Sequence, residues 1–426
     1  MFDKLKGKLE ALDCGAWELC EEKKHGWEFY FIRHSLDQNR AVNVLTYTVK
    51  LFMNSENGEF LGSASAEIPP TASDAEIDKI LSDLKYQASL VKNPAYTLTS
   101  APVHIPEKLE PADIEKIAGD FIRAIRSVPE TETEDINSYE IFVNEITRRT
   151  LNSNGVAYTC TYPSSMAEVV VNARRDGHEI ELYRNYRSGS CDAQKLCNDI
   201  SETLRYGKDR LSAVPTPKLE RYDVVFSTDD AVSIFSYFAD KMNAGMKFRK
   251  LSSWETGKPI CEDAVGDKIS VYAVSSLENS SWDFPVDEEG CVICDKPIIK
   301  DSIAENFWGN RQFSQYLGLE NSSNVYNFRF EGGEKSEREI RSGDYMEVVE
   351  FSDFQVDELT GDIAGEIRLA YLHRGGEVKV VTGGSVSGNM NEAVRDMTFS
   401  KELKQYNCYV IPAAVKLKNL RITGAE

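Results

Sequence analysis

Four β-rich runs between residues 139 and 186 are separated by only a few residues each, and that spacing constrains the fold more than any other feature. YEIFVNEITRRTL (139–151) leads through Asn152-Ser153-Asn154-Gly155 into GVAYTCTY, and MAEVVVNAR (166–174) turns at Arg175-Asp176-Gly177 into HEIELYRNY. A parallel pair needs a crossover of about a dozen residues or more, so these runs form an antiparallel meander. Residues 27–66 repeat the pattern: WEFYFIRH and AVNVLTYTVKLF are rich in β-branched and aromatic residues, and the second ends at the turn cluster Asn54–Gly58.

Helices flank these strands. Phe2, Leu5, Leu9 and Leu12 recur at helical spacing at the start of the chain. Ser73 or Asp74 can cap a helix whose stripe is Ile77, Ile80, Leu81 and Leu84. Pro94, Pro102, Pro106 and Pro111 mark an extended connection, with Pro111 suited to the first turn of the next helix, striped by Ile114, Ile117, Ala118, Phe121 and Ile125. A helix of about twenty residues follows Cys191. Ala213-Val214-Pro215-Thr216-Pro217 is the expected boundary, giving an N-terminal α+β domain over 1–212 and a β-rich domain over 213–426. The second half opens with the strand YDVVFS and a helix over 229–242. Short strands with Gly-rich turns follow, so its core should be barrel-like or a sandwich.

Composition limits function. Lys plus Arg is 49 against 69 Asp plus Glu, a net charge of −20. Such a chain is a poor match for nucleic acid or anionic lipid, both of which call for a basic surface. No window approaches the roughly 18 apolar residues of a membrane span, and MFDKLKGKLEALD lacks a secretory h-region. Nine scattered cysteines fit reduced thiols, and a cytoplasmic location is expected.

Familiar catalytic motifs are missing. A hydrolytic zinc helix places two histidines on one face with a glutamate beside the metal. The histidines here are 25, 34, 104, 178 and 373, and His178-Glu179 starts a strand. Cys291-Val292-Ile293-Cys294 has no second pair. There is no G-x-S-x-G, Walker loop or G-x-G-x-x-G.

Motif order in the second half says more. YDVVFSTDDAVSIFSYFADKMNAGMKF (222–248) resembles the strand and helix of the TldD/PmbA family, the modulators of DNA gyrase, or zinc-dependent proteases and their inactivated homologues. Leu151–Gly155 resembles the family's N-S-x-G turn. Asp287–Gly290 resembles its D-x-E-G turn, and Pro297-Ile298-Ile299 the following strand. Leu359–Asp362 resembles T-G-x-F-S, with Ile363-Ala364 in place of Phe-Ser. Tyr371–Glu377 resembles the I-E-x-G-E hairpin, and Ile411-Pro412 with Arg421–Gly424 the terminal strand.

The resemblance implies specific chemistry. TldD-like members carry H-E-x-x-x-H on the helix after that strand, with a downstream Cys completing the zinc set. In register, those positions hold Ser236, Tyr237 and Lys241, none of which suits the role. Cys408 is the nearest thiol to the missing Cys. The chain therefore resembles the PmbA (TldE) branch: no catalytic or metal residue of its own, no cofactor, and zinc only in a catalytic partner. The implied partners are a TldD-like subunit or a second copy in a homodimer, and an unfolded peptide. Gly361, Asp362, Gly384, Ser385, Ser387 and Asn389 are the expected peptide-cleft residues, since glycines let another backbone approach. The competing expectation is an active peptidase with an unrecognised metal site or a thiol at Cys294 or Cys408.

Overall fold

The computed structural model describes all residues except Pro102, Glu320, Asn321 and Glu426, so the proline expectation at 102 lies outside the described residues. The first half is built on one antiparallel sheet. Helix α1 (Phe2–Ala11) precedes strands β1 (Ala16–Ile32), β2 (Ser35–Asn54) and β3 (Leu61–Ile68), then helices α2 (Asp74–Leu90) and α3 (Ile114–Arg126). Strands β4 (Glu134–Asn152), β5 (Ala157–Arg175) and β6 (His178–Ser188) complete the sheet, in the order β3-β2-β1-β4-β5-β6. Helix α4 (Ala193–Arg210) closes this half.

Local chemistry explains the boundaries. Ser73 and Glu76 form a reciprocal capping box at the start of α2, and Ile77, Leu81 and Leu84 are buried beneath it. Asp113 caps α3 by accepting from Lys116 N, so Pro111 lies ahead of the helix and not in its first turn. The stripe Ile114, Ile117, Ala118, Phe121 and Ile125 is buried in full. The runs read as GVAYTCTY and MAEVVVNAR are one strand, β5, passing through Pro163. Proline is tolerated there because β6 pairs β5 only from Ser165 onward, leaving the Pro163 edge without a partner strand. β1 also begins earlier than 27, its buried positions Trp17, Leu19 and Glu21 alternating with more exposed neighbours.

The second half contains strands β7 (Val214–Pro215) and β8 (Leu219–Phe226), helices α5 (Ala231–Lys241) and α6 (Ala244–Phe248), then β9 (Val271–Val274), β10 (Lys296–Lys300) and β11 (Ile303–Ala304). Helix α7 (Arg311–Tyr316), β12 (Asn327–Phe330) and α8 (Glu337–Ile340) lead to β13 (Tyr345–Val356), β14 (Asp362–Arg374), β15 (Glu377–Thr382) and β16 (Ser385–Asn389). Helix α9 (Met390–Ala393) precedes β17 (Thr398–Phe399), β18 (Leu403–Tyr406), β19 (Tyr409–Pro412) and β20 (Val415–Thr423).

Five of these strands close a barrel. β13 pairs with β8, β8 with β20, β20 with β16, β16 with β14, and β14 returns to β13. Closure leaves these strands no free edge. A second sheet, β11-β10-β9-β12-β19-β18, packs beside it, and one core containing Phe226, Phe235, Phe238, Phe330 and Phe399 joins barrel, α5 and sheet. Val349 and Leu369 of the barrel are buried with Phe121, Val169 and Leu182, so the two halves share a core as well. No helix among the described residues is long and apolar enough to cross a membrane.

Candidate functional site

Helix α5 carries the three positions singled out by the family resemblance, and its C-terminal end faces the turn joining β13 to β14. That turn is self-supporting. Asp357 Oδ1 accepts from Leu359 N at 2.9 Å and Thr360 N at 2.7 Å, and those bonds hold its carboxyl below the usual range. Gly361 has φ 78°, in the region where glycine is at ease. A Cβ there would sit 3.0 Å from Asn391 Nδ2 and 3.3 Å from Tyr237 Oη.

Lys241 locks helix to turn. Its side chain is buried, and Nζ donates to Leu359 O at 2.8 Å and Leu251 O at 3.3 Å. Burial lowers its pKa, while Asp357 and Glu358 oppose that shift. One turn earlier, Tyr237 donates to Asn391 Oδ1 at 3.2 Å, and burial pushes its phenol up to about 12. Ser236 donates back to Ser233 O at 3.3 Å. A zinc site needs imidazole, thiolate or carboxylate lone pairs converging on one point. Here a hydroxyl is turned to its own helix, a phenol is kept protonated, and an ammonium occupies the carbonyls. These residues do not fit zinc.

The expected cleft residues fall into two groups along one strand pair. Asp362 lies opposite Asn389, whose Nδ2 donates to Asp362 Oδ1 at 2.8 Å and Thr360 O at 3.0 Å, so Gly361, Asp362 and Asn389 meet beside Tyr237. Ser385 lies opposite Glu366, roughly 13 Å along the strand from Asn389. Ser385 Oγ is 2.7 Å from Thr423 Oγ1, and a Cβ on Gly384 would fall 2.1 Å from Thr423 O. Ser387, between the groups, pairs with Ala364 and Arg421. Strand β16 is bonded to β14 along its whole length and to β20 over Ser385–Ser387.

A grouping that sequence reasoning passed over lies in the second half. Asp287, Glu289 and Cys291 bring ligand-type atoms within 4.8 Å of one another. Both oxygens of Asp287 already accept backbone N–H groups. Asp287 Oδ1 accepts from Glu289 N at 3.0 Å and Cys291 N at 2.8 Å, and Oδ2 accepts from Asn324 N at 2.9 Å. Glu289 accepts from Arg311 N at 2.8 Å, and Cys291 Sγ lies 2.9 Å from Thr99 Oγ1. Burial, with Glu288 and Glu289 nearby, raises Asp287 to about 8, and burial carries Cys291 to about 12. The D-x-E-G signal is thus a turn closed by its own carboxylate. Burial likewise raises Cys408 to about 11, which weakens it as a nucleophile.

Residues 219–424, the barrel and its companion sheet, match the PmbA/TldA metallopeptidase C-terminal domain. These residues therefore form a domain of the PmbA/TldA family. The whole chain is also similar to TldE from Thermococcus kodakarensis, with 15% identity, TM-score 0.78 and 99% of each chain covered. A protein described as a candidate modulator of a DNA gyrase, from Thermotoga maritima MSB8, aligns over 99% of this chain and 100% of its own at 14% identity and TM-score 0.76. One described likewise, from Bacteroides thetaiotaomicron VPI-5482, covers 99% and 98% at 15% identity and TM-score 0.76. At such identities the likeness establishes the fold. No curated protein sequence matches the chain.

Proposed function

We propose that this TldD/PmbA-family chain is a PmbA/TldE-like, non-catalytic subunit of a cytoplasmic metallopeptidase system that takes unfolded peptides. Its partner is a TldD-like chain or a second copy of itself, and zinc belongs only to the catalytic partner. The observation carrying this reading is Lys241. Where the family's catalytic branch places a metal-holding imidazole, this chain places an ammonium bonded to Leu359 O and Leu251 O. A fixed cation there repels a second one. In this reading Gly361, Asp362 and Asn389 form the cleft wall beside α5, and Gly384, Ser385 and Ser387 hold that wall in register.

Metal analysis of freshly purified protein, with a peptidase assay on an unstructured peptide, tests the proposal. The expected result is substoichiometric zinc and no cleavage by the chain alone. Cleavage should appear when a chain bearing H-E-x-x-x-H is added. Stoichiometric zinc, lost together with cleavage on chelation, would establish an active enzyme instead.

A further inference from the structure

A cavity of about 630 Å³ opens beside the 287–291 turn, and both thiols of the Cys291-Val292-Ile293-Cys294 run line it. Their states differ. Cys291 is buried, with Sγ 2.9 Å from Thr99 Oγ1. Cys294 is exposed, alone among the nine cysteines, and its Sγ reaches no closer partner than Val292 O at 3.9 Å. The pair does not close on itself. Val292 bridges Val286, and Ile293 N donates to Pro285 O at 2.9 Å, so the run is extended. Residues three apart on an extended run stand roughly 10 Å apart at Cα, beyond the roughly 7 Å that a disulfide can span. A disulfide made at Cys294 with an outside thiol is therefore not resolved by Cys291.

The rest of the lining sets what that outside thiol can be. Lys296, two residues on from Cys294, shares the cavity with it, and its Nζ donates to Phe307 O at 3.1 Å. Arg311 is the second cation of the lining, its guanidinium held by Thr97 O. Glu305 is the one carboxylate of the lining among the described residues. Glu289, which accepts from Arg311 N at 2.8 Å, is buried and stands outside the lining. Two cations against one carboxylate thus face this cavity, in a chain whose net charge is −20. A neighbouring ammonium also favours the thiolate, the form of cysteine that attacks a disulfide.

We infer that Cys294 is a modification site, which takes a low-mass disulfide bearing carboxylates into this cavity and keeps half of it as a mixed disulfide. The Cys294 thiol gives up its proton, and the thiolate attacks one sulfur of the incoming disulfide. The old S–S bond breaks as the bond to Cys294 Sγ forms, and the displaced half leaves as a thiolate that takes up the proton. Lys296 and Arg311 attract the carboxylates of the reagent, and the buried Cys291 leaves the adduct in place. The site stands apart from the peptide-holding reading and does not depend on it.

Intact-mass spectrometry with peptide mapping tests this on the full, reduced chain. The probes are oxidised glutathione, whose ends carry carboxylates, and cystamine, whose ends are amines. One adduct, on Cys294, is expected with oxidised glutathione. The ratio of the two rates should favour oxidised glutathione by at least about tenfold more in the folded chain than in the same chain unfolded in urea. That preference runs against the net charge of −20, which by itself favours cystamine. Cys294→Ser should abolish the adduct, Cys291→Ser should leave it, and Arg311→Gln should lower the preference by about threefold. If Cys291→Ser does not fold, mapping the unsubstituted chain for a Cys291–Cys294 bond answers the same question. An adduct chiefly on another thiol, an internal Cys291–Cys294 disulfide, or a rate ratio unchanged by folding overturns the site.

Discussion

Helix α5 and the 287–291 turn solve one problem, a buried polar end group, with opposite hydrogen-bond partners. On α5 a buried ammonium is satisfied by the carbonyls of Leu359 and Leu251. In the 287–291 turn a buried carboxyl is satisfied by the N–H groups of Glu289, Cys291 and Asn324. Each resembles half of a metal site when only residue types are counted. On α5 the ammonium protons go to two backbone carbonyls, and in the turn three backbone N–H groups already bind the Asp287 carboxyl. The contrast is open to direct attack, beginning with the acid.

Asp287→Ala should have the largest effect. It strips three backbone donors of one acceptor, at roughly 1–3 kcal/mol for each buried donor left unpaired. A loss on the order of 4 kcal/mol in urea unfolding is expected, with the m-value unchanged. A loss under about 1 kcal/mol would mean that the turn does not depend on this carboxyl.

The same group predicts an unusual pH dependence. Its carboxyl is raised from 3.8 to about 8 in the folded chain, so between those values the native state holds more protons than the unfolded one. Stability from this group is present in full below pH 3.8 and is lost as pH rises through about 8. Asp230, raised to about 6, and Asp240 and Glu350, each raised to about 7, act with the same sign. Unfolding free energy should therefore fall between pH 5 and 8, by up to about 1.4 kcal/mol per unit for each titrating group. Asp287→Asn should flatten the slope at the upper end. A stability that rises over this range would contradict the assignment.

Lys241→Met probes the other half of the comparison and should cost less. The substitution keeps the buried stem and removes the charge, leaving two carbonyls on residues exposed enough for water to replace the ammonium. A loss of about 1–2 kcal/mol is expected by urea unfolding. No zinc should be gained, because the three positions still lack an imidazole, thiolate or carboxylate.

Local signals made much of this architecture legible in the sequence. The capping box at Ser73, the α3 stripe and the turns at Asn152–Gly155 and Arg175–Gly177 are all short-range features. The first half of β1 was hidden by Glu21, Glu22, Lys23 and Lys24, although Glu21 alternates with Trp17 and Leu19 on the buried face. Barrel closure was only partly legible, because β8 meets β13 in parallel across more than a hundred residues and no local period records that pairing. The same limit applies to the site. Lys241 and Leu359 could be picked out singly, but the bond between them arises only once β13 and β14 are placed.

The smallest effect separates packing from backbone strain. Gly58 and Gly361 have φ of 71° and 78°, so an alanine at either position pays about the same left-handed penalty, roughly 1–2 kcal/mol. Their surroundings differ. A Cβ at Gly58 meets nothing within 4 Å, whereas at Gly361 it falls 3.0 Å from Asn391 Nδ2 and 3.3 Å from both Asn389 Oδ1 and Tyr237 Oη. Gly361→Ala should therefore be more destabilising than Gly58→Ala by up to about 1 kcal/mol, the scale of one disturbed hydrogen bond. Adding Tyr237→Phe removes one of those three neighbours' polar atoms, and the excess should shrink if the atoms act together. Equal costs for the two alanines would mean that the 357–362 turn is loosely held against α5, and the lock attributed to Lys241 would then have to act through the carbonyls alone.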